Sequence, residues 1–93
     1  QGIIDCMYIS ADGKLRLLDY KTDRLPHDPD KAARLLTERY GEQMRTYMRA
    51  AEQIARMPLD RCVIFALSSG REIVLRENGV DTPLASVAPE AHA

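Results

Sequence analysis

The sequence predicts one small mixed α+β domain, and three observations carry that prediction. Two runs rich in Ile, Leu, Met and Tyr, Ile3 to Ile9 and Leu15 to Tyr20, flank the turn former Asp12-Gly13 and read as a β-hairpin. Downstream, Leu36, Tyr40, Met44, Tyr47, Ala51 and Ile54 recur every three or four residues, as the apolar face of an amphipathic helix does. After Pro58, the run Arg61 to Leu67 is apolar enough for a buried strand. A chain of 93 residues holds one such domain and no more.

The hairpin admits two registers. A two-residue Asp12-Gly13 loop pairs Asp5 with Tyr20 and sends Asp5 and Asp19 to opposite faces. A three-residue loop, Ala11-Asp12-Gly13, is equally natural, because its last position is left-handed and favours glycine. That register sets Asp5 opposite Asp19 and sorts the side chains better. One face then carries Ile3, Asp5, Met7 and Ile9 beside Leu15, Leu17, Asp19 and Lys21. The other carries Ile4, Cys6, Tyr8 and Ser10 beside Lys14, Arg16, Leu18 and Tyr20. The first face is the more apolar and is expected to be the covered one.

From Thr22 to Asp30, two prolines and several turn formers predict a loop, with Asp30 able to cap the helix that follows. The helical pattern runs to about Met57, and Gly41 is a candidate break between a short leading helix and a longer one. Ser68 to Arg71 reads as a turn and Glu72 to Leu75 as a short edge strand. The domain is expected to end near Arg76, leaving 77–93, rich in Ala, Pro and small polar residues, as a mobile tail. The strand-like opening Gln1-Gly2-Ile3-Ile4 suggests a chain that starts inside a domain, hence a fragment of something longer.

Composition is that of a soluble globular protein, 45% hydrophobic and 29% charged, with a formal net charge of -1. There is no general basic excess, so contact with nucleic acid would need a local patch or a bound cation. Cys6 and Cys62 stand far apart in apolar runs, which suits reduced core thiols of a cytoplasmic protein rather than a disulfide or a zinc site. No apolar stretch is long enough to span a membrane, and no signal peptide is visible.

The apolar hairpin face thus ends in two carboxylates and an amine. Carboxylates directly opposed across a strand pair repel, and desolvation adds to the cost. A divalent cation between Asp5 and Asp19 removes the conflict, since Mg²⁺ takes oxygen ligands and commonly uses one or two carboxylates while keeping several waters. Lys21, two residues after Asp19, projects from the same face. The hairpin alone equally fits a surface ion pair between Lys21 and an aspartate at an exposed sheet end.

These residues resemble a known set of motifs. Gly2-Ile3-Ile4-Asp5, then Leu18-Asp19-Tyr20-Lys21-Thr22-Asp23, then Tyr40-x-x-Gln43-x-x-x-Tyr47 are similar to the Gly-x-Ile-Asp, Asp-Tyr-Lys-Thr and Gln-x-x-x-Tyr motifs of the RecB-family, or PD-(D/E)xK, nucleases. Within that family the wording is closest to helicase–nucleases of the AddA (RexA) type, and it covers roughly residues 1 to 67. The resemblance implies a restriction-endonuclease-like fold, a mixed sheet flanked by helices, and Mg²⁺-dependent (or Mn²⁺-dependent) exonuclease action on DNA in double-strand-break repair and recombination. It implies Asp5 and Asp19 as metal ligands, the backbone carbonyl of Tyr20 as a third, Lys21 as catalytic lysine, and Gln43 and Tyr47 as the helix pair bordering the site. It also implies a partner protein of the AddB or RexB kind. The Gly-x-x-x-x-Gly-Lys-Ser/Thr phosphate loop is absent, so ATP would be used only by a helicase region upstream. Two distant cysteines cannot supply the four-cysteine iron–sulfur cluster of some relatives. Members also carry upstream helices whose His or Glu completes the metal site, so this chain alone is expected to be inactive. The alternative is a non-catalytic scaffold or partner-docking module of the same complex, and metal binding by the 93-residue chain separates the two.

Without the resemblance, Tyr47 reads as a core aromatic and Gln43 as a surface amide. His27 reads as an exposed loop histidine, and His92 lies in the tail. Arg45, Arg49 and Arg56 lie near one helix stripe and could meet phosphates, or form a solvated face balanced by Glu42 and Glu52. Thr22, Asp23 and Arg24 continue the family wording with no role derived for them.

Overall fold

The first turn sets the register of the hairpin. In the computed structural model, which describes the backbone of residues 4–83 and side chains from residue 6 within that range, Gly13 has φ 81°, in the left-handed region that favours glycine. Its N–H donates to the Ser10 carbonyl at 2.8 Å, and the Ser10 N–H donates to the Lys14 carbonyl at 2.8 Å. The loop is therefore the three-residue one. Strands β1 (Ile4–Ile9) and β2 (Leu15–Lys21) pair antiparallel with residue 5 opposite Asp19. Ile3 and the Gly2-Ile3 part of the first motif lie outside the described residues.

A parallel neighbour for β2 requires a crossover, and helix α1 (Pro29–Ala55) provides it. The cap is Asp28, not Asp30: the Asp28 carboxylate accepts from the Asp30 N–H at 2.9 Å, and Pro29 sits in the first turn, where its missing N–H costs nothing. The helix runs unbroken through Gly41 and ends at Arg56, the C-cap, which is left-handed at φ 57°. A mid-helix glycine costs only about 1 kcal/mol. Leu36, Met44 and Met48 are buried on the same helix, at about 1.5–3 kcal/mol each, and outweigh it. A Cβ at position 41 would meet Thr37 Cγ2 at 3.4 Å and Arg45 Nη1 at 3.5 Å, both ends of side chains. Gly41→Ala is therefore expected to stabilise by about 0.5–1 kcal/mol, seen as a higher urea midpoint with an unchanged slope.

Beyond α1, β3 (Leu59–Ala66) runs parallel to β2, and β4 (Arg71–Glu77) and β5 (Val80–Asp81) follow antiparallel, so the five-stranded sheet has the order β1-β2-β3-β4-β5. This mixed α+β arrangement is consistent with the restriction-endonuclease-like fold. The edge is not β4, because β5 lies outside it, joined by Asn78-Gly79 at φ 54° and 78°, the geometry of a two-residue hairpin turn. Order thus continues past Arg76, where the sequence suggests a tail: a two-residue strand is too short to show periodicity, although Asn-Gly is itself a hairpin signal. Residues 84–93, His92 among them, lie outside the described residues.

The core lies between α1 and one sheet face, where Leu15, Leu17, Leu36, Met44, Cys62 and Ile64 are buried together. A helix is about 10 Å wide and strands are about 4.8 Å apart, so one helix covers roughly two strands. Here those are β2 and β3. The hairpin face expected to be covered is therefore covered only in its β2 half: Met7 and Ile9 on the outer strand are 42% and 53% exposed. Ile54, counted on the apolar helix face, is also exposed, and Met48 takes its place in the core.

Candidate active site

Asp19 and Lys21 occupy the carboxyl end of β2, two residues apart and so on one face, the face under α1. Their side chains are 0% and 1% exposed. Burying an ammonium group costs several kcal/mol unless partners surround it. Lys21 has three. Its Nζ lies 2.9 Å from Asp19 Oδ2, donates to Gln43 Oε1 at 3.2 Å and sits 4.1 Å above the centroid of the Tyr40 ring, a cation–π contact. Tyr40 and Gln43 are one helical turn apart, so both reach the same point of the sheet.

Tyr40 links this amine to the loop beyond it. Its hydroxyl donates to Asp23 Oδ1 at 2.9 Å, and Arg39 Nη1 donates to Asp23 Oδ2 at 2.6 Å. Burial raises the Tyr40 phenol, and the Asp23 carboxylate raises it further. For Asp23, burial works upward, but the hydrogen bonds from Tyr40 and Arg39 outweigh it and hold the carboxyl below its usual range. A lowered folded value contributes stability above the unfolded pKa, 3.8, that is lost as pH falls below it through the folded value. Tyr40→Phe is expected to cost about 1–2 kcal/mol near pH 7 and to flatten the loss of stability below about pH 4, read from urea melts across pH.

The sequence points to Gln43, which meets Lys21, but not to Tyr40. By its spacing Tyr40 counts as a core residue, and its i, i+3 relation to Gln43 was the available signal. Tyr47 is half-buried against the core. The register places Asp5 opposite Asp19, and the Asp5 side chain lies outside the described residues. The Tyr20 ring sits on the other sheet face from its neighbours Asp19 and Lys21, edge-on to Phe65 with centroids 5.8 Å apart. His27 is exposed as expected, and its carbonyl accepts from Arg71 at 2.6 Å. Arg56 departs from the helix stripe: as C-cap it lies 13 residues past Gln43, roughly 20 Å along the axis at 1.5 Å per residue. Glu52 faces the sheet rather than the helix arginines, accepting from the Leu59 N–H at 2.7 Å and Arg76 Nη1 at 3.2 Å. Both cysteines are free. Burial pushes the Cys62 thiol up to about 12, whereas Cys6 is exposed, because it lies on the outer strand away from α1.

The donor chemistry fits a hard divalent cation. Asp19 supplies carboxylate oxygens, and the register sets a second aspartate position directly across from it. Among the described residues no group of three His, Cys, Asp or Glu side chains gathers, so they supply only part of a coordination sphere. Among them, too, no helix is long and apolar enough to cross a membrane.

The chain is similar to the ATP-dependent helicase/nuclease (its A subunit) of Desulfitobacterium hafniense, 39% identical over 88 residues, covering 94% of this chain and 6% of that protein. It is likewise similar to the proteins of the same name from Geobacillus kaustophilus, 43% identical over 74 residues, and Heliobacterium modesticaldum, 43% over 77, which cover 75% and 81% of this chain and 6% and 5% of theirs. The chain thus spans about 6% of the length of the curated relatives it matches. The family model described as the PD-(D/E)XK nuclease superfamily matches residues 1–88, nearly the whole sequence, and the chain belongs to that superfamily.

Proposed function

We propose that the intact protein hydrolyses phosphodiester bonds of DNA as the exonuclease of a cytoplasmic helicase–nuclease that processes double-strand breaks in repair and recombination. The observation that carries this reading is the fully buried Asp19–Lys21 pair, with an aspartate position opposite Asp19 in the strand register. Asp5 and Asp19 would hold Mg²⁺ or Mn²⁺, with the Tyr20 backbone carbonyl as a third oxygen. Such a cation, when bound, polarises the phosphate and lowers the pKa of the attacking water. Lys21 holds its ammonium at a fixed point beside Asp19, where it offsets charge building on the phosphate. Gln43 and Tyr40 keep the amine there, and Tyr47 supports their helix from the core side. The name that the relatives share, an ATP-dependent helicase/nuclease, supports the wider setting: a helicase region using ATP would feed the strand, with a protein of the AddB or RexB kind as partner.

The test is to titrate Mg²⁺ or Mn²⁺ into the intact protein and into its Asp19→Ala variant. Metal-dependent cleavage by the first alone is expected, and equal cleavage by both would end the proposal.

A further inference from the structure

Directly after Lys21 the chain runs through loop 22–28 before entering α1, and three hydrogen bonds tie the end of β2 and this loop to residues 67–71, between β3 and the start of β4. The Leu67 N–H donates to the Lys21 carbonyl at 2.9 Å, Ser68 Oγ to the Asp23 carbonyl at 2.6 Å and Arg71 Nη2 to the His27 carbonyl at 2.6 Å. Between the two segments lies a cleft of about 550 Å³, lined by Arg24, Pro26, His27, Ser68, Ser69 and Arg71. Its ionisable lining is two arginines and a histidine, with no carboxylate. The acids of the loop are engaged elsewhere: Asp23 by Arg39 and Tyr40, Asp28 by the Asp30 N–H.

The two arginines retain capacity to bind. Arg24 is exposed and makes no hydrogen bond or ion pair among the described residues. Arg71 lines the same cleft, held there by its bond to the His27 carbonyl, and adds its positive charge to the wall. Arginines and serine hydroxyls are the usual partners of nucleic-acid phosphates. The cleft volume exceeds what one phosphate needs and admits the attached sugar. On a chain whose net charge is -1, the cleft is a local cationic patch.

We infer that the cleft binds a backbone phosphate of the DNA strand, next to the one lying at Asp19 and Lys21. The inference rests on the nuclease reading above for the identity of the strand. Arg24 and Arg71 supply the charge, and Ser69 a neutral donor. A phosphate held here fixes where along the strand the next phosphodiester meets Lys21.

The test is equilibrium binding of a short fluorescent single-stranded oligonucleotide to the intact protein, in EDTA, across a range of salt. Arg24→Glu should weaken binding about tenfold at low salt, and the slope of log affinity against log salt should shrink by about 0.7, one phosphate contact on a single strand. Arg24→Lys should retain most of both. Equal affinity and slope in wild type and Arg24→Glu overturns the inference, and saturating the cleft with inorganic phosphate alongside that equality would assign it to a free anion. Because no metal is present, the result is independent of cleavage: loss of the Asp19 effect would sink the proposed function and leave this measurement standing, and the reverse holds as well.

Discussion

Lys21→Met should lower strand cleavage by about 10²–10³-fold and, in EDTA, destabilise the fold by about 3–5 kcal/mol. Both effects come from one geometry. Lys21 is 1% exposed, its ammonium lies 2.9 Å from a carboxylate that is 0% exposed, and methionine keeps the stem while removing the charge. The Asp19 carboxylate then stays buried without its cation, and a buried pair broken on one side costs far more than the pair contributed. Metal gives the separate readout. If Asp19 is a ligand, Mg²⁺ should restore the lost positive charge and raise the melting temperature of Lys21→Met more than that of the wild type. A ligand at a hundred times its dissociation constant stabilises by about 2.7 kcal/mol. Equal melting of the two proteins in EDTA would show that this pair does not hold the end of the sheet.

The second large effect is at Asp19. Asp19→Ala is expected to lose cleavage and also to destabilise by about 3–5 kcal/mol, because Lys21 is left buried with only an amide oxygen and a ring for company. Asp19→Asn separates the two roles. It preserves shape and an acceptor for Lys21, so melting should fall by clearly less than in Asp19→Ala, while cleavage should fall equally far, since a neutral amide is a poor ligand for a hard divalent ion. Cleavage near the wild-type level in a folded Asp19→Asn protein would remove the ligand role.

Much of the candidate site is legible in the residues alone. Gly13 and strict alternation along two strands place residue 5 across from Asp19 and put Lys21 on the same face. The apolar spacing Leu36–Met44–Ala51 marks the covering helix, and Gln43 falls on it. Other features are written in the sequence as local signals, such as the Asn78-Gly79 turn and the Asp28-Pro29 helix start.

These features depend on periods of 2 and 3.6 residues and on local backbone preferences, which a sequence alone determines. Tertiary structure decided the rest, because burial depends on distances between segments remote along the chain. One helix is wide enough for β2 and β3, so Asp19 and Lys21 are enclosed while Met7 and Ile9 remain exposed. Only the docking of α1 brings the Tyr40 ring against Lys21, and only the parallel pairing of β2 with β3 sets Arg24 and Arg71 around one cleft.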